Sequence, residues 1–357
     1  MSQPPLRVCF VIPGANRSGG VRVTMEMANG LLARGHVVRL LQPLRRVSAP
    51  RTLVRAASRQ LLRLQGGTTE SWVASFRGGV ETYRERLDEI SFQPGEIVIA
   101  VGSLVVRDVA ALKENVIRVR YCHGFTRSRP DLMDAAWNFP MPTLAVSSGL
   151  VEELARRGAE PLVGVVPNGV SLQAYRPESG RIREGVGTVY HEHDAKAPRE
   201  TLELLREIRS RFAVGLHVFG IGPRPRGVAR RSYERSPSVA RARSSYARSR
   251  VWIVASRYEG FGLPLLEAMA CGTPVVTTDH DGCAGLVIHG ENGFVVPFGA
   301  WEELLGRVGE LLTDDVLWER MAAHALETAG RFTWDRAVDR MERCLRALHS
   351  EKVGALP

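Results

Sequence analysis

The sequence predicts two parallel α/β domains in tandem, each a doubly wound sheet. Three observations carry this expectation. Short apolar, β-rich runs alternate with helical patterns along the chain. The alternation lapses over residues 171–187, where Pro177, Gly180, Gly185 and Gly187 leave no clear period, and then restarts. The length of 357 residues suits two domains, at roughly 150 residues each. Apolar residues at 44 % suffice for two cores and exclude a disordered chain. The domains are placed at 1–175 and 176–335, with a helical tail over 336–357.

Residues 6–12 (LRVCFVI) form the opening strand, which ends at Pro13 and feeds the loop GANRSGG. A helical pattern from Val21 to about Ala33 stops before Gly35, a residue type suited to closing a helix. Val37–Leu41 is the next strand. Residues 45–90 are rich in Arg and less regular, with a helix expected near 52–64. Ile97–Val101 and Val116–Arg120 read as buried strands, and Thr143–Val146 as another. Ser147 or Ser148 caps a helix over Val151–Arg157, with Glu152 and Glu153 suited to its first turn. Val163–Val166 is a strand that ends in Pro167-Asn168-Gly169. In the second half Val186–Tyr190, Gly215–Phe219, Val251–Ala255, Pro274–Thr277 and Gly293–Pro297 are strands, and Arg199–Phe212 and Pro264–Cys271 are helices. The tail is helical. Trp301, Leu304, Leu305, Val308, Leu311 and Leu312 share one face, and Thr313 with Asp314 and Asp315 starts a further helix. Val338, Met341, Leu345 and Leu348 recur at helical spacing in the last.

The formal charge of +10 points to an anionic partner: nucleotide, phospholipid surface or nucleic acid. Residues 224–250 hold nine arginines and one acid, Glu234. Only Tyr233 and Tyr246 interleave them, without a helix-turn-helix pattern. Nucleic acid is therefore not expected, and the segment reads as a solvated surface with one or two arginines near a nucleotide. Residues 51–64 (RTLVRAASRQLLRL) are basic and amphipathic, with Leu53, Ala57, Leu61 and Leu64 on one side, which fits contact with a membrane face. The five cysteines are scattered and never form a CxxC pair. Disulfides and structural zinc are not expected, and a reducing compartment is. The N-terminal apolar run is too short for a secretory signal. No stretch approaches the ~18 apolar residues of a membrane span. The expected setting is the cytoplasm, with peripheral attachment to the inner membrane face as an option.

The most informative stretch is 259–276, EGFGLPLLEAMACGTPVV. Glu259 is followed by Gly260, Phe261 and Gly262, then Leu263 and Pro264, then Glu267 within an apolar helical run. A glycine loop feeding a helix start presents free N–H groups and the positive end of the helix dipole to an anion. Phosphate oxygens would take the amides near Gly262 and Leu263. Glu267 would accept hydrogen bonds from a ribose diol, and Glu259 would face a sugar. A purely structural turn also uses glycines and a proline; it leaves the spaced pair of carboxylates unexplained. The segment resembles the EX7E signature of family 4 retaining glycosyltransferases. Gly272-Thr273-Pro274-Val275-Val276, Gly290-Glu291-Asn292-Gly293-Phe294 and Phe332-Thr333-Trp334 are similar to further stretches of that family. The resemblance covers most of the chain and is strongest over 251–297.

The resemblance implies the GT-B fold: two Rossmann-like domains facing each other across a cleft, with the C-terminal helix crossing back to the first. It implies that Glu259 contacts the transferred sugar and Glu267 the ribose hydroxyls. Ser18-Gly19-Gly20-Val21 resembles the family's N-terminal GG loop, so Gly19 and Gly20 are carried over as a phosphate or acceptor contact; alone, the loop would be a tight turn. His123, in Tyr121-Cys122-His123-Gly124-Phe125, matches a histidine that family members place near the donor sugar, where a lone histidine would otherwise read as structural. The family sets an Arg and a Lys on the diphosphate, five positions apart. Lys196 fits the second place and His191 stands at the first, which either weakens the diphosphate grip or leaves it to another residue, with Arg257 or an arginine of 224–250 as candidates. Asn168 in Pro167-Asn168-Gly169-Val170 matches a family loop near the cleft, or is a plain hinge turn. Gly285 stands where an acid is common.

His191-Glu192-His193-Asp194 and Asp279-His280-Asp281 have metal-like spacing. No further cluster accompanies the first, and the implied reaction needs no metal. The only cofactor-like molecule expected is the substrate, a nucleoside diphosphate sugar. The implied activity transfers a sugar, with retention, to a saccharide or lipid-linked acceptor hydroxyl in polysaccharide, lipopolysaccharide or glycolipid biosynthesis. Positioning and stabilisation of the leaving diphosphate would drive it, without a strong protein base. There are two rivals. One is an epimerase or phosphorylase of the same architecture, against which the Glu259/Glu267 spacing stands. The other is a non-catalytic basic binding protein using 224–250.

Overall fold

A computed structural model describes residues 4–15, 18–44, 71–84, 86–113, 115–124, 139–159, 161–180 and 182–353. The helix expected near 52–64, with its apolar side of Leu53, Ala57, Leu61 and Leu64, lies outside the described residues, as does Phe125. The chain divides into two compact units. One draws on Met1–Ser48, Glu70–Asn168 and Trp334–Pro357, the other on Gly169–Thr333.

The first unit runs β1 (Arg7–Val11), α1 (Gly19–Ala33), β2 (Val37–Pro43), β3 (Val80–Tyr83), β4 (Ile97–Val101), α2 (Val106–Ala110), β5 (Ile117–Cys122), β6 (Thr143–Ala145), α3 (Ser148–Arg156) and β7 (Leu162–Val165). These seven strands form one parallel sheet in the order β3-β2-β1-β4-β5-β6-β7. The chain winds outward from β1, then returns to its other side at β4, so the switch point lies between β1 and β4. All five residues of β4 are buried, as a parallel strand with both faces covered requires. Cys9, Val11, Val98 and Ala100 of the central strands pack on Val105, Val106 and Val109. The edge strand β3 has no such run; only Tyr83 in it is buried, and the sequence pattern did not show it. Ser147 is the cap of α3, its Oγ accepting from Leu150 N–H at 3.2 Å.

The second unit runs β8 (Val186–Val189), α4 (Pro198–Phe212), β9 (Leu216–Gly220), β10 (Tyr233–Arg235), α5 (Val239–Arg248), β11 (Val251–Val254), α6 (Leu263–Ala270), β12 (Val275–Thr278), β13 (Gly293–Val296), α7 (Trp301–Thr313) and α8 (Asp315–Arg331). Its six strands are parallel in the order β10-β9-β8-β11-β12-β13. The core joins Val186, Val251 and Ile253 of the sheet to Leu204, Leu205 and Ile208 of α4 and to Leu304, Leu305, Val308 and Leu311 of α7. The last helix, α9 (Trp334–Val353), belongs to the first unit. It buries Val338, Met341, Leu345 and Leu348, and its Asp339 pairs with Arg34 at 2.7 Å.

Two expectations change. The stretch 171–187 lies inside the second unit, and the division between units falls between Asn168 and Gly169. Within that stretch Tyr175 is buried against Tyr246, ring centroids 6.0 Å apart, and so anchors an otherwise mostly exposed segment to the second unit. The arginine-rich segment 224–250 is also more than a solvated surface. It supplies β10 and α5, and α5 buries Ala242, Tyr246 and Ala247. Several of its arginines are engaged within the unit: Arg243 with Glu178 at 3.2 Å, Arg250 with Asp315 at 2.5 Å, and Arg241 with Glu234. Among the described residues no helix is long and apolar enough to cross a membrane.

Candidate functional site

In the second unit the switch point lies between β8 and β11, which are neighbours in the sheet but distant in sequence. Loops leaving the carboxyl ends of two such strands diverge around a crevice, where α/β sheets place ligands. Here those loops carry His191–Lys196 and Ser256–Gly262. They are pinned together by the Ala195 carbonyl, which accepts from Arg257 N–H at 2.8 Å and Tyr258 N–H at 3.1 Å. Lys196 closes a short turn capped by His193, whose Nδ1 accepts from Ala195 N–H at 3.2 Å.

That pinning sets Lys196 Nζ 2.5 Å from Glu259 Oε2. Ser256 Oγ donates to Glu259 Oε1 at 2.8 Å. The Glu259 carboxyl is buried, which by itself would raise its pKa. The Lys196 charge, then His280 and the hydrogen bonds from Lys196 and Ser256, outweigh burial and hold it below the ordinary carboxylate value. Glu259 is therefore an anion held in place before any ligand arrives.

His191 folds back instead, its Nδ1 accepting from His193 N–H at 3.0 Å. Burial, then the charges of Lys196 and His193, lower its pKa, so at neutral pH it brings no cation. Arg257 is occupied by Glu200 and lies over the Phe298 ring at 4.4 Å.

Gly262 precedes the first turn of α6 in left-handed backbone, φ +85°, which only glycine takes without strain. Its carbonyl accepts from Leu265 N–H at 2.9 Å, while the N–H groups of Phe261, Gly262 and Leu263 have no acceptor among the described residues. Such orphan donors at the positive end of a helix suit an anion. The next strand over, β12, ends beside this loop. Thr278 Oγ1 donates to Ser256 O at 2.6 Å, and the buried His280 Nε2 lies 3.1 Å from Thr277 Oγ1. Gly282 packs so tightly that a Cβ there would sit 2.6 Å from Phe261 N and 2.9 Å from Glu259 Cβ. Glu267, on α6, is buried and accepts from the Tyr246 hydroxyl at 2.7 Å. Among the described residues no group of three His, Cys, Asp or Glu side chains could hold a metal ion. Among those residues the Asp279-His280-Asp281 and His191–Asp194 patterns meet no further ligand.

In the first unit, Gly19 and Gly20 open α1, capped by Ser18 Oγ, which accepts from Val21 N–H at 3.4 Å. His123 follows β5. The fold brings it to Gly20: a Cβ on Gly20 would lie 3.5 Å from His123 Cγ. The imidazole packs on Tyr121, centroids 4.2 Å apart, and neither ring nitrogen has a hydrogen-bond partner among the described residues. Burial drives its pKa down to about 3, so the ring is neutral across the physiological range. Asn168 is buried at the end of this unit, and its Oδ1 has no partner among the described residues.

The structure thus gathers Lys196, Glu259 and the 260–263 loop in one unit, and Gly20 with His123 in the other. The sequence reading missed Ser256, Gly282 and Tyr246 as site residues, and weighed His280 only within a metal-like pattern. Tyr246 had a signal, since Val239, Ala242 and Tyr246 recur at helical spacing, but the surrounding arginines obscured it.

Residues 236–328 match the family of glycosyl transferases group 1. The chain is 31 % identical over 211 residues to a D-inositol 3-phosphate glycosyltransferase of Rhodococcus erythropolis, covering 51 % of this chain and 48 % of that protein. It is 40 % identical over 85 residues to a phosphatidyl-myo-inositol mannosyltransferase of Mycobacterium leprae, covering 24 % of this chain and 23 % of that one. The chain thus spans at most about half the length of these curated relatives. Among solved structures, sucrose-phosphate synthase of Thermosynechococcus elongatus superposes with a TM-score of 0.71 at 15 % identity, covering 97 % of this chain and 100 % of that one. Anabaena HepE, in complex with UDP-glucose, matches with a TM-score of 0.71 at 15 % identity over 96 % of this chain and 100 % of its own. At such identity these likenesses show the fold alone: two parallel-sheet α/β units of GT-B type with a helical C-terminus.

Proposed function

We propose that this chain, a group 1 glycosyl transferase by its residues 236–328, moves a sugar from a nucleoside diphosphate sugar to an acceptor hydroxyl with retention at the anomeric carbon. The observation that carries the reading is the joint placement of Lys196, Glu259 and the orphan amides of 261–263 at the switch point of the second unit. The amides and Lys196 take the diphosphate, which supplies positive charge where negative charge grows on the leaving group. Glu259 faces the transferred sugar, and Glu267 accepts from the ribose hydroxyls. Donor binding then partly exchanges one anion for another at Lys196, loosening its hold on Glu259 as the sugar arrives. In the first unit the neutral His123, beside Gly20, serves a sugar hydroxyl as donor or acceptor.

The acceptor class follows the relatives named for inositol phosphate and phosphatidylinositol: a saccharide or lipid-linked hydroxyl, in glycolipid or polysaccharide assembly. A basic segment at 51–64 would favour work at an anionic membrane face. The competing picture of 224–250 as a free basic binding surface loses force from the arginines tied up inside the unit.

Thermal shift with UDP-, GDP-, dTDP- and ADP-sugars tests the donor site, on wild type and Glu267→Ala. One donor class should raise the melting temperature of wild type by several degrees and leave the variant unmoved. Equal shifts in both proteins would remove the ribose role from Glu267, and no shift with any donor would remove the donor site.

A further inference from the structure

Tyr246 sits on α5 with its whole side chain enclosed, 0 % exposed. Trp252 packs on its ring at 4.2 Å between centroids, Phe219 meets it edge-on at 5.5 Å, and Tyr175 does so at 6.0 Å. The backbone is tied as well: Thr273 Oγ1, just past α6, donates to the Tyr246 carbonyl at 2.8 Å. A tyrosine has few rotatable bonds, and a ring held on three sides leaves its hydroxyl one position. That hydroxyl donates to Glu267 Oε2 at 2.7 Å, within a buried site. Hydroxyl-to-carboxylate bonds of this length are among the strong ones, and stronger still away from water.

We propose that Tyr246 is a positioning residue for donor recognition, fixing the plane of the Glu267 carboxylate so that it meets a ribose diol without first being ordered. The inference rests on the reading of Glu267 as the ribose acceptor. A free glutamate side chain has several rotatable bonds, and binding a diol would have to freeze them. A carboxylate already clamped spares that entropy, so the benefit appears in ligand affinity. An aromatic box that served packing alone would be satisfied by phenylalanine.

The test is calorimetric titration of UDP, GDP and ADP, each beside its 2′,3′-dideoxy analogue, into wild type and Tyr246→Phe. Wild type should prefer the ribonucleotide of the base it accepts by about tenfold or more. In Tyr246→Phe the ribonucleotide should weaken by about tenfold while the dideoxy analogue holds its affinity, so the preference collapses towards one. In turnover the donor KM should rise with kcat within about twofold, the mark of lost ground-state binding. Should Tyr246→Phe not fold, Phe219→Leu loosens the box with the hydroxyl retained and should give a partial loss of the same preference. An undiminished preference in the folded variant, or in Phe219→Leu if that is the one measured, overturns the positioning role and leaves the ribose reading standing. A wild type that binds both forms of every nucleotide alike, or none, overturns the ribose reading and this inference with it.

Discussion

The two units hold their candidate site residues by opposite means. In the second, each acidic side chain has a named partner: Glu259 takes Lys196 and Ser256, and Glu267 takes Tyr246. In the first, His123 is held by ring packing on Tyr121 beside Gly20, and neither nitrogen has a hydrogen-bond partner among the described residues. The contrast follows from charge. A buried carboxylate without partners would take up a proton, so an anionic site must be built as a network. A neutral imidazole can be enclosed at smaller cost, provided it stays neutral. The second unit should therefore be sensitive to changes of charge and of loop position, and the first to changes of shape.

The sharpest way to break that contrast is at two glycines. A methyl group at Gly282 would press on the backbone of Phe261 and on Glu259 Cβ at under 3 Å, so the Glu259 loop must move. Gly282→Ala should lower turnover by more than about a hundredfold, since a shift of an ångström at a reacting site has that scale of effect. At Gly20 the added methyl would meet His123 at 3.5 Å, an ordinary contact. Gly20→Ala should cost only about two- to fivefold. Steady-state rates with the donor found by thermal shift decide the matter, and equal losses at the two positions would end the distinction.

Next in size is the charge at Glu259. Glu259→Gln keeps the shape and removes the anion, and turnover should fall by about a hundredfold. Stability supplies a second readout with a fixed sign. The folded pKa of Glu259 lies below its ordinary 4.5, so its ionic bonds stabilise the fold above about pH 4.5, and that contribution is lost as pH falls through the lower folded value. Glutamine has no such contribution. Denaturation midpoints of wild type and Glu259→Gln should therefore differ at pH 7 and converge as the pH falls below 4.5 through the folded value; a constant gap would show that the Lys196 pair does not stabilise the fold.

Much of this was legible in the sequence. The restart of the strand and helix alternation after 187 gave both sheets, because parallel strands covered on both faces leave continuous apolar runs such as Ile97–Val101. The Glu259–Glu267 stretch was legible because glycine, proline and paired carboxylates each answer a separate local demand. Other features were not. The edge strands Val80–Tyr83 and Tyr233–Arg235 bury too little to leave a pattern. Tyr246 reaches Glu267 only because α5 and α6 pack together, a tertiary fact that spacing along one helix does not encode. The meeting of Lys196 with Glu259 depends on β8 and β11 being neighbours, which motif spacing alone does not reveal. Where Arg257 sits was not legible either: its pairing with Glu200 and its place over the Phe298 ring depend on packing that no motif encodes.

The smallest effect is the most diagnostic of how the first unit works. His123 has a folded pKa of about 3 against an ordinary 6.5, with burial as the cause. Between those values the unfolded chain takes up a proton that the folded chain refuses. Folding stability should therefore decline as pH falls from about 6.5 towards 3, by at most about 1.4 kcal/mol per pH unit, and be independent of this group above pH 7. His123→Gln has no titrating group, so the variant should gain on wild type steadily as pH is lowered from 6.5 to 4.5, read from urea midpoints. Nuclear magnetic resonance of the imidazole in wild type should show no titration between pH 5 and 8. A ring that titrates near 6.5, with parallel stability curves for the two proteins, would mean that His123 is solvated and charged in acid, and enclosure would then not be what holds it.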